Sequence, residues 1–240
     1  RSGRRWLLAG VYGLLLAAII LIGTRAAWIM FGVVTAIYLL VEVREGRGGG
    51  RLIAAILAVT TLFATVAYQG SDAFRQRIDR SMLILEGDAK AMDTALSQRL
   101  PIWETALAMG SDHWLNGVGV RGFRYAYPDY AASDDPWLNA EDDTGAYHAH
   151  QVILELWTET GLIGLLAWLI GAAVAVRAWL RADRTARRAA LPYAAGLAAM
   201  LFPINSHLAF YSTFWSIVFW WLLALYAGSL GQSGDESPPS

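Results

Sequence analysis

The stretch His148–Gly164, HAHQVILELWTETGLIG, carries His148, His150, Glu155 and Glu159 across the point where a polar, acidic segment turns into an apolar run. Imidazole has an ordinary pKa of about 6.5, so it can take or give a proton near neutral pH. His148 and His150 are two apart and would diverge on a helix, so we place His148 in the loop and His150 in the first helical turn. A histidine at a helix start also reads as a hydrogen-bonded cap. The partial positive charge of a helix N-terminus disfavours imidazolium and so helps keep such a ring neutral, able to accept a proton. The same N–H groups attract anions. Glu155 and Glu159 lie deeper in the apolar run, where an ionisable group is a functional candidate by default. Hydrogen bonding to Asn205, Ser206 or a tyrosine is their structural alternative.

Arginine supplies the complementary charge. Arg25 sits in the short turn GTR between two apolar runs. Its guanidinium stays charged and can hold two oxygens of a phosphate at once; snorkelling to lipid headgroups would also place it there. Arg99, just before Pro101, invites the same two-sided reading, with a salt bridge to a nearby acid as its alternative. Arg121, beside Gly117, Gly119 and Gly122, is a weaker third cation. His207, on the outer side of a later apolar run, competes with His150 as a base, and His113 lies in the turn DHWLNG. The glycines read as a turn with close backbone approach; without a strand, turn and helix around them they are no dinucleotide fingerprint. One histidine pair with a DD and an EDD run reads as a surface acidic cluster rather than a metal site. There is no cysteine, hence no disulfide and no thiolate chemistry. We expect neither cofactor nor metal.

The elements that must position these groups are membrane helices. Mean hydropathy is +0.38, and 56% hydrophobic residues with 11 Trp do not describe a soluble surface. The net charge of −1 suggests no nucleic-acid partner. Apolar runs cover Trp6–Ile22, Ala26–Val43, Leu52–Tyr68, Val152–Val176, Leu191–Leu208 and Tyr211–Ala227, each near the roughly 17–25 residues that cross a bilayer as a helix. The fold class is therefore all-α integral membrane protein, with six predicted transmembrane helices. Arg1, Arg4, Arg5, Arg44, Arg47, Arg51, Arg177, Arg181, Arg184, Arg187 and Arg188 fall on one side of this arrangement, which makes that side cytoplasmic.

We divide the chain into 1–68 (three helices), 69–149 (an outward loop domain), 150–228 (three helices) and 229–240 (a disordered cytoplasmic tail). The loop Gln69–Tyr147 holds seven basic residues against thirteen acids. Helices are predicted over Gln76–Glu86 and Pro101–Met109, and PDYAASDDPWLNAEDDTG reads as loop. The opening RSGRR, without an initiator Met, reads as part of a longer protein with further helices upstream, and no signal peptide is expected. A transporter would show paired broken helices at mid-membrane, which these runs do not suggest.

His150-Gln151, nine residues, then Gly161-Leu-Ile-Gly164 resembles the histidine motif of the bacterial O-antigen ligases, and HAHQ-x-x-LE resembles the wider ligase and polymerase superfamily. GTRAAWI is similar to the family's arginine motif, with Thr24 where Ser is common and Ile29 where Leu is usual. RLPIWETAL and HWLNGVGVRGF resemble its large periplasmic loop. The resemblance covers about Gly23–Gly164 and implies a metal-independent, inverting glycosyl transfer at the periplasmic face of the inner membrane, in lipopolysaccharide biosynthesis. The donor would be a glycan on undecaprenyl pyrophosphate and the acceptor a sugar hydroxyl of lipid A–core. By carry-over His150 would be the base, and Arg25 and Arg99 would hold the pyrophosphate; Arg121, His148, Glu155 and His207 would line the substrate site. An O-antigen polymerase and a protein O-oligosaccharyltransferase share this donor chemistry and remain alternatives.

Overall fold

In the computed structural model, which describes residues 2–46, 50–138, 146–203 and 212–231, helix α1 (Ser2–Ile22) stops at Gly23. Gly23 takes φ 67 and its N–H still reaches the Ile19 carbonyl at 3.1 Å, the left-handed exit that glycine permits most easily. Thr24 is extended, and α2 (Arg25–Arg44) begins at once. Trp28 Nε1 donates to the Ile19 carbonyl at 3.1 Å, tying the start of α2 to the end of α1. After α3 (Gly50–Gly70) the chain enters α4 (Asp72–Met82), where Ser71 Oγ accepts the Phe74 N–H at 3.3 Å. A 3-10 turn, Leu83–Leu85, leads to α5 (Ala89–Ala95), capped by Asp88 at the Ala91 N–H, 2.9 Å. These elements form one compact unit, Arg1–Ser97; Gln98–Ser240 form a second. The boundary falls inside the stretch read from sequence as one loop domain.

The second unit holds α6 (Leu100–Asp112), α7 (Phe123–Tyr130), α8 (Val152–Arg181), α9 (Arg184–Met200) and α10 (Thr213–Gly231). On α6, Ile102, Ala106 and Met109 recur at helical spacing and are fully buried with Phe123, Tyr127, Ala146 and Ala149. Burial of each large member contributes about 1.5–3 kcal/mol. Where loop was expected after Gly122, α7 forms despite Pro128, because Phe123 and Tyr127 anchor it in that core. Tyr127 Oη also donates to Asp135 Oδ2 at 2.8 Å. Burial first, and then Asp135, push the Tyr127 hydroxyl far above its ordinary pKa, so it stays a donor. α9 and α10 close around Ala190, Leu197, Phe219 and Tyr226, and Tyr226 Oη donates to the Ala175 carbonyl of α8 at 2.7 Å.

Among the described residues there is no strand, and four helical stretches are long and apolar enough to cross a membrane: Arg25–Arg44, Ile53–Gly70, Val152–Arg181 and Thr213–Gly231. No residue of α2 is buried, and large apolar groups such as Leu62 and Ile217 lie open. Hydrocarbon, not protein, must cover such surfaces. The chain is thus a multi-pass membrane protein. The first expected span yields a shorter apolar helix, Gly10–Ile22. In the fifth, α9 starts early with Arg184, Arg187 and Arg188 and ends at Met200; residues 204–211, and the tail from 232, lie outside the described residues.

One expectation is overturned within α8. The span is not continuous: Gly161 takes φ 61, ψ −161 and breaks the helix. The loop after α6 docks into the break, with Val118 N–H on the Thr158 carbonyl (2.8 Å), Gly119 N–H on Glu159 (3.0 Å), Leu162 N–H on Trp114 (2.8 Å) and Ile163 N–H on Leu115 (3.2 Å). The backbone groups freed at the break therefore find partners in the protein, as membrane helices require. Val152–Thr160 becomes a separate short segment whose buried face carries Val152, Glu155, Leu156, Thr158 and Glu159.

Candidate functional site

Ala146 and Ala149 are drawn into the core of the second unit, so the chain approaching α8 is pinned between the polar residues it displays. Trp103 Nε1 donates to the Ala149 carbonyl at 3.0 Å. Because this stretch is not helical, residues two apart share a side: the rings of His148 and His150 lie 4.0 Å apart, tilted at 49°. Trp137 flanks His150, its ring 6.3 Å away. The placement of His150 in the first helical turn is corrected here. Gln151 is the N-cap, its side-chain oxygen accepting the Leu154 N–H at 2.6 Å while its amide nitrogen donates to the Pro203 carbonyl at 3.0 Å. The cap role is filled by the amide, which leaves His150 before the helix at φ 50, a left-handed backbone that is uncommon outside glycine.

His148 lines a cavity of about 420 Å³ together with Arg121, Arg124, Tyr147, Glu155 and Glu159, closed by Ser212–Phe214 at the start of α10. That volume is in the range of small-ligand sites, about 300–1,000 Å³. Glu155 and Glu159 are almost fully buried, 1% and 2% exposed. Glu159 Oε2 accepts the Arg121 N–H at 2.7 Å, and the carboxylate also receives the Phe123 N–H. Arg121 is held at φ 62 to make that bond. The loop that carries Arg121 and Arg124 is thus clamped onto α8 twice, by backbone bonds at the break and by this carboxylate. The close approach read from Gly117 is real: a Cβ there would sit 2.3 Å from the Glu159 carbonyl carbon.

Arg124 and Tyr147 were missed in the sequence. The Arg124 guanidinium lies over the Tyr147 ring, 5.0 Å from its centre, and its Nε is buried with no hydrogen-bond partner. The available signal was its spacing from Arg121, one helical turn along GVGVRGFR.

In the first unit, Arg25 opens α2 and reaches across to the α4–α5 region. Nη1 donates to Ser81 Oγ at 3.3 Å and to the Ala95 carbonyl, and Nη2 to Ser97 Oγ at 2.5 Å. All three partners are neutral, so the positive charge is oriented but not cancelled by them. Arg77 braces the same turn: its Nη1 donates to the Ile22 carbonyl at 3.1 Å and occupies the space a Gly23 Cβ would need, 1.2 Å away.

Arg99, in the second unit, is the N-cap residue of α6, half-buried, following Gln98 at φ 58. Its backbone carbonyl accepts the Trp103 N–H at 3.0 Å. His207 lies outside the described residues. Among the described residues no group of three or more His, Cys, Asp or Glu side chains could hold a metal. The structure therefore gathers His148, Arg121, Glu155 and Glu159 in one cavity, sets His150 against His148, and fixes Arg25 and Arg99 each within its own unit.

A histidine pair beside buried carboxylates and guanidinium groups can accept a proton and bind oxygen-rich, partly anionic molecules. No curated protein and no solved structure matches the chain. The sequence profile described as O-antigen ligase matches residues 10–169, two thirds of the chain, from within α1 to within α8, and includes His113, His148 and His150. The chain belongs to the O-antigen ligase family.

Proposed function

We propose that the chain transfers a glycan from undecaprenyl pyrophosphate to a sugar hydroxyl of lipid A–core, at the periplasmic face of the inner membrane. The observation that carries this is the family match, joined to a polar cavity with His148 at its wall and the His150 ring beside His148. A pyrophosphate-linked anomeric carbon has a good leaving group once cations hold its charge; Arg25 and Arg99 supply them. What remains is to remove the proton of the attacking hydroxyl. His150 takes it, as the family's histidine motif implies, with His148 as its neighbour on the cavity wall. Direct attack inverts the anomeric centre.

The break at Gly161 does not favour a transporter, because loop backbone fills it and leaves no open half-helix end for an ion or substrate. The test is expression of the full chain in a strain lacking its own ligase, with analysis of the lipopolysaccharide. Glycan-capped lipid A–core is expected; long glycan on the lipid carrier, or glycan on protein, would instead support the polymerase or oligosaccharyltransferase activity.

A further inference from the structure

We infer that the cavity in the second unit is a subsite for an anionic sugar unit, one carrying a carboxylate or a phosphate, with Arg124 as its ligand; this rests on the ligase reading above. Arg124 Nε–H is buried without an acceptor, a state that is expensive for a charged donor unless something arrives to fill it. Its guanidinium plane is fixed over Tyr147 at 5.0 Å and lies within 5.9 Å of the Tyr125 ring centre, so the fork is oriented before a ligand binds. No described carboxylate forms a salt bridge with it. Glu159, the acid within its electrostatic reach, is already committed to the N–H groups of Arg121 and Phe123. Glu155, at 1% exposure, presents almost no surface to an incoming group. Arg121, by contrast, is exposed and adds a second positive charge at the wall. Tyr147 and Phe214 line the same cavity and add apolar surface suited to the C–H side of a pyranose. A planar, bidentate donor in such a place suits carboxylate and phosphate oxygens better than hydroxyls.

The purified full chain in detergent is titrated calorimetrically with methyl glucuronide, glucose 6-phosphate and methyl glucoside. At least one anionic sugar should bind about ten- to a hundredfold more tightly than the glucoside, and the one that does names the substituent. Arg124→Gln should erase the preference, and Arg124→Lys should keep part of it, with circular dichroism confirming that each variant is folded. Wild-type protein that binds the three alike, or not at all, overturns the inference. So does a preference that survives in folded Arg124→Gln, or in Arg124→Lys at full strength if the glutamine variant does not fold. Transfer is measured on the same preparations with glycan donors that contain or lack a uronic acid. Transfer without an anionic preference refutes the subsite alone; an anionic preference without transfer refutes the ligase reading and leaves the subsite standing.

Discussion

Replacing Gly161 with alanine should destabilise the second unit far more than the same change at Gly164, although both belong to the Gly-Leu-Ile-Gly motif. Gly161 sits at φ 61, ψ −161, a region open essentially to glycine, so any side chain adds about 1–3 kcal/mol of strain. Its Cβ would also lie 2.3 Å from the Leu115 carbonyl carbon and 2.5 Å from the Asn116 nitrogen. These are backbone atoms and cannot swing away. Moving them breaks the four backbone bonds that seat the loop, each contributing about 0.5–1.5 kcal/mol. The sum is about 3–9 kcal/mol, comparable with the whole stability of a domain, about 5–15 kcal/mol.

At Gly164 the clash is with Thr160, whose hydroxyl lies 1.9 Å and Cβ 2.3 Å away; the hydroxyl can rotate at the loss of its bond to the Leu156 carbonyl, about 1 kcal/mol, and the Cβ is relieved by a local shift of the helix that leaves the four loop bonds in place. Thermal unfolding of the detergent-solubilised variants, with limited proteolysis of the 113–122 loop, reads the difference. Gly161→Ala should lower the midpoint sharply and open the loop to cleavage. Equal behaviour of the two variants would refute the docking of the loop in the helix break.

Arg25→Ala should leave insertion intact but reduce transfer by about two to four powers of ten, the loss of one partly desolvated cation, and Arg25→Lys should recover little because an ammonium lacks the fork; near-normal transfer in both returns Arg25 to a headgroup anchor. Gly23→Ala should mimic part of that loss by displacing Arg77 from the turn, and pairing it with Arg77→Ala should relieve the clash in the same transfer assay. Reporter fusions at Thr185 should behave as cytoplasmic and those at Asp88 as periplasmic, and the reverse would invert the proposed topology.

The apolar runs and the helix begun at Pro101 were legible because lipid exposure and helix-start chemistry leave a record in residue type; which face of that helix is buried was not, since Ile102 and Met109 are buried while Leu107 is 48% exposed. Helix α7 was not, since Pro128 and neighbouring polar residues argue for loop while two buried rings, Phe123 and Tyr127, decide otherwise. The glycines 117–122 announced a tight approach, but the partner, the chain on either side of Gly161, lies about forty residues away in sequence and leaves no local trace. The break in α8 was hidden for the same reason: a lone glycine in an apolar helix is ordinary until a loop docks against it. His150 was singled out correctly as a boundary residue, yet its helical placement failed because Gln151 competes for the cap and wins through a second bond to Pro203. Arg124 was marked in the sequence by its spacing from Arg121 alone, and its burial without a partner, which singles it out, is visible in the structure.

The most direct test of the central claim, base-assisted inverting transfer with His150 as the base, is a transfer assay comparing wild type with His150→Ala, using a lipid-pyrophosphate glycan of known anomeric configuration and NMR of the new glycosidic bond. A positioned base contributes about 10²–10⁴-fold, so the variant should lose transfer by that factor while still binding donor, and the wild-type product should carry the inverted linkage. A His150→Ala protein that transfers at the normal rate, or a product that retains the donor configuration, would contradict the account.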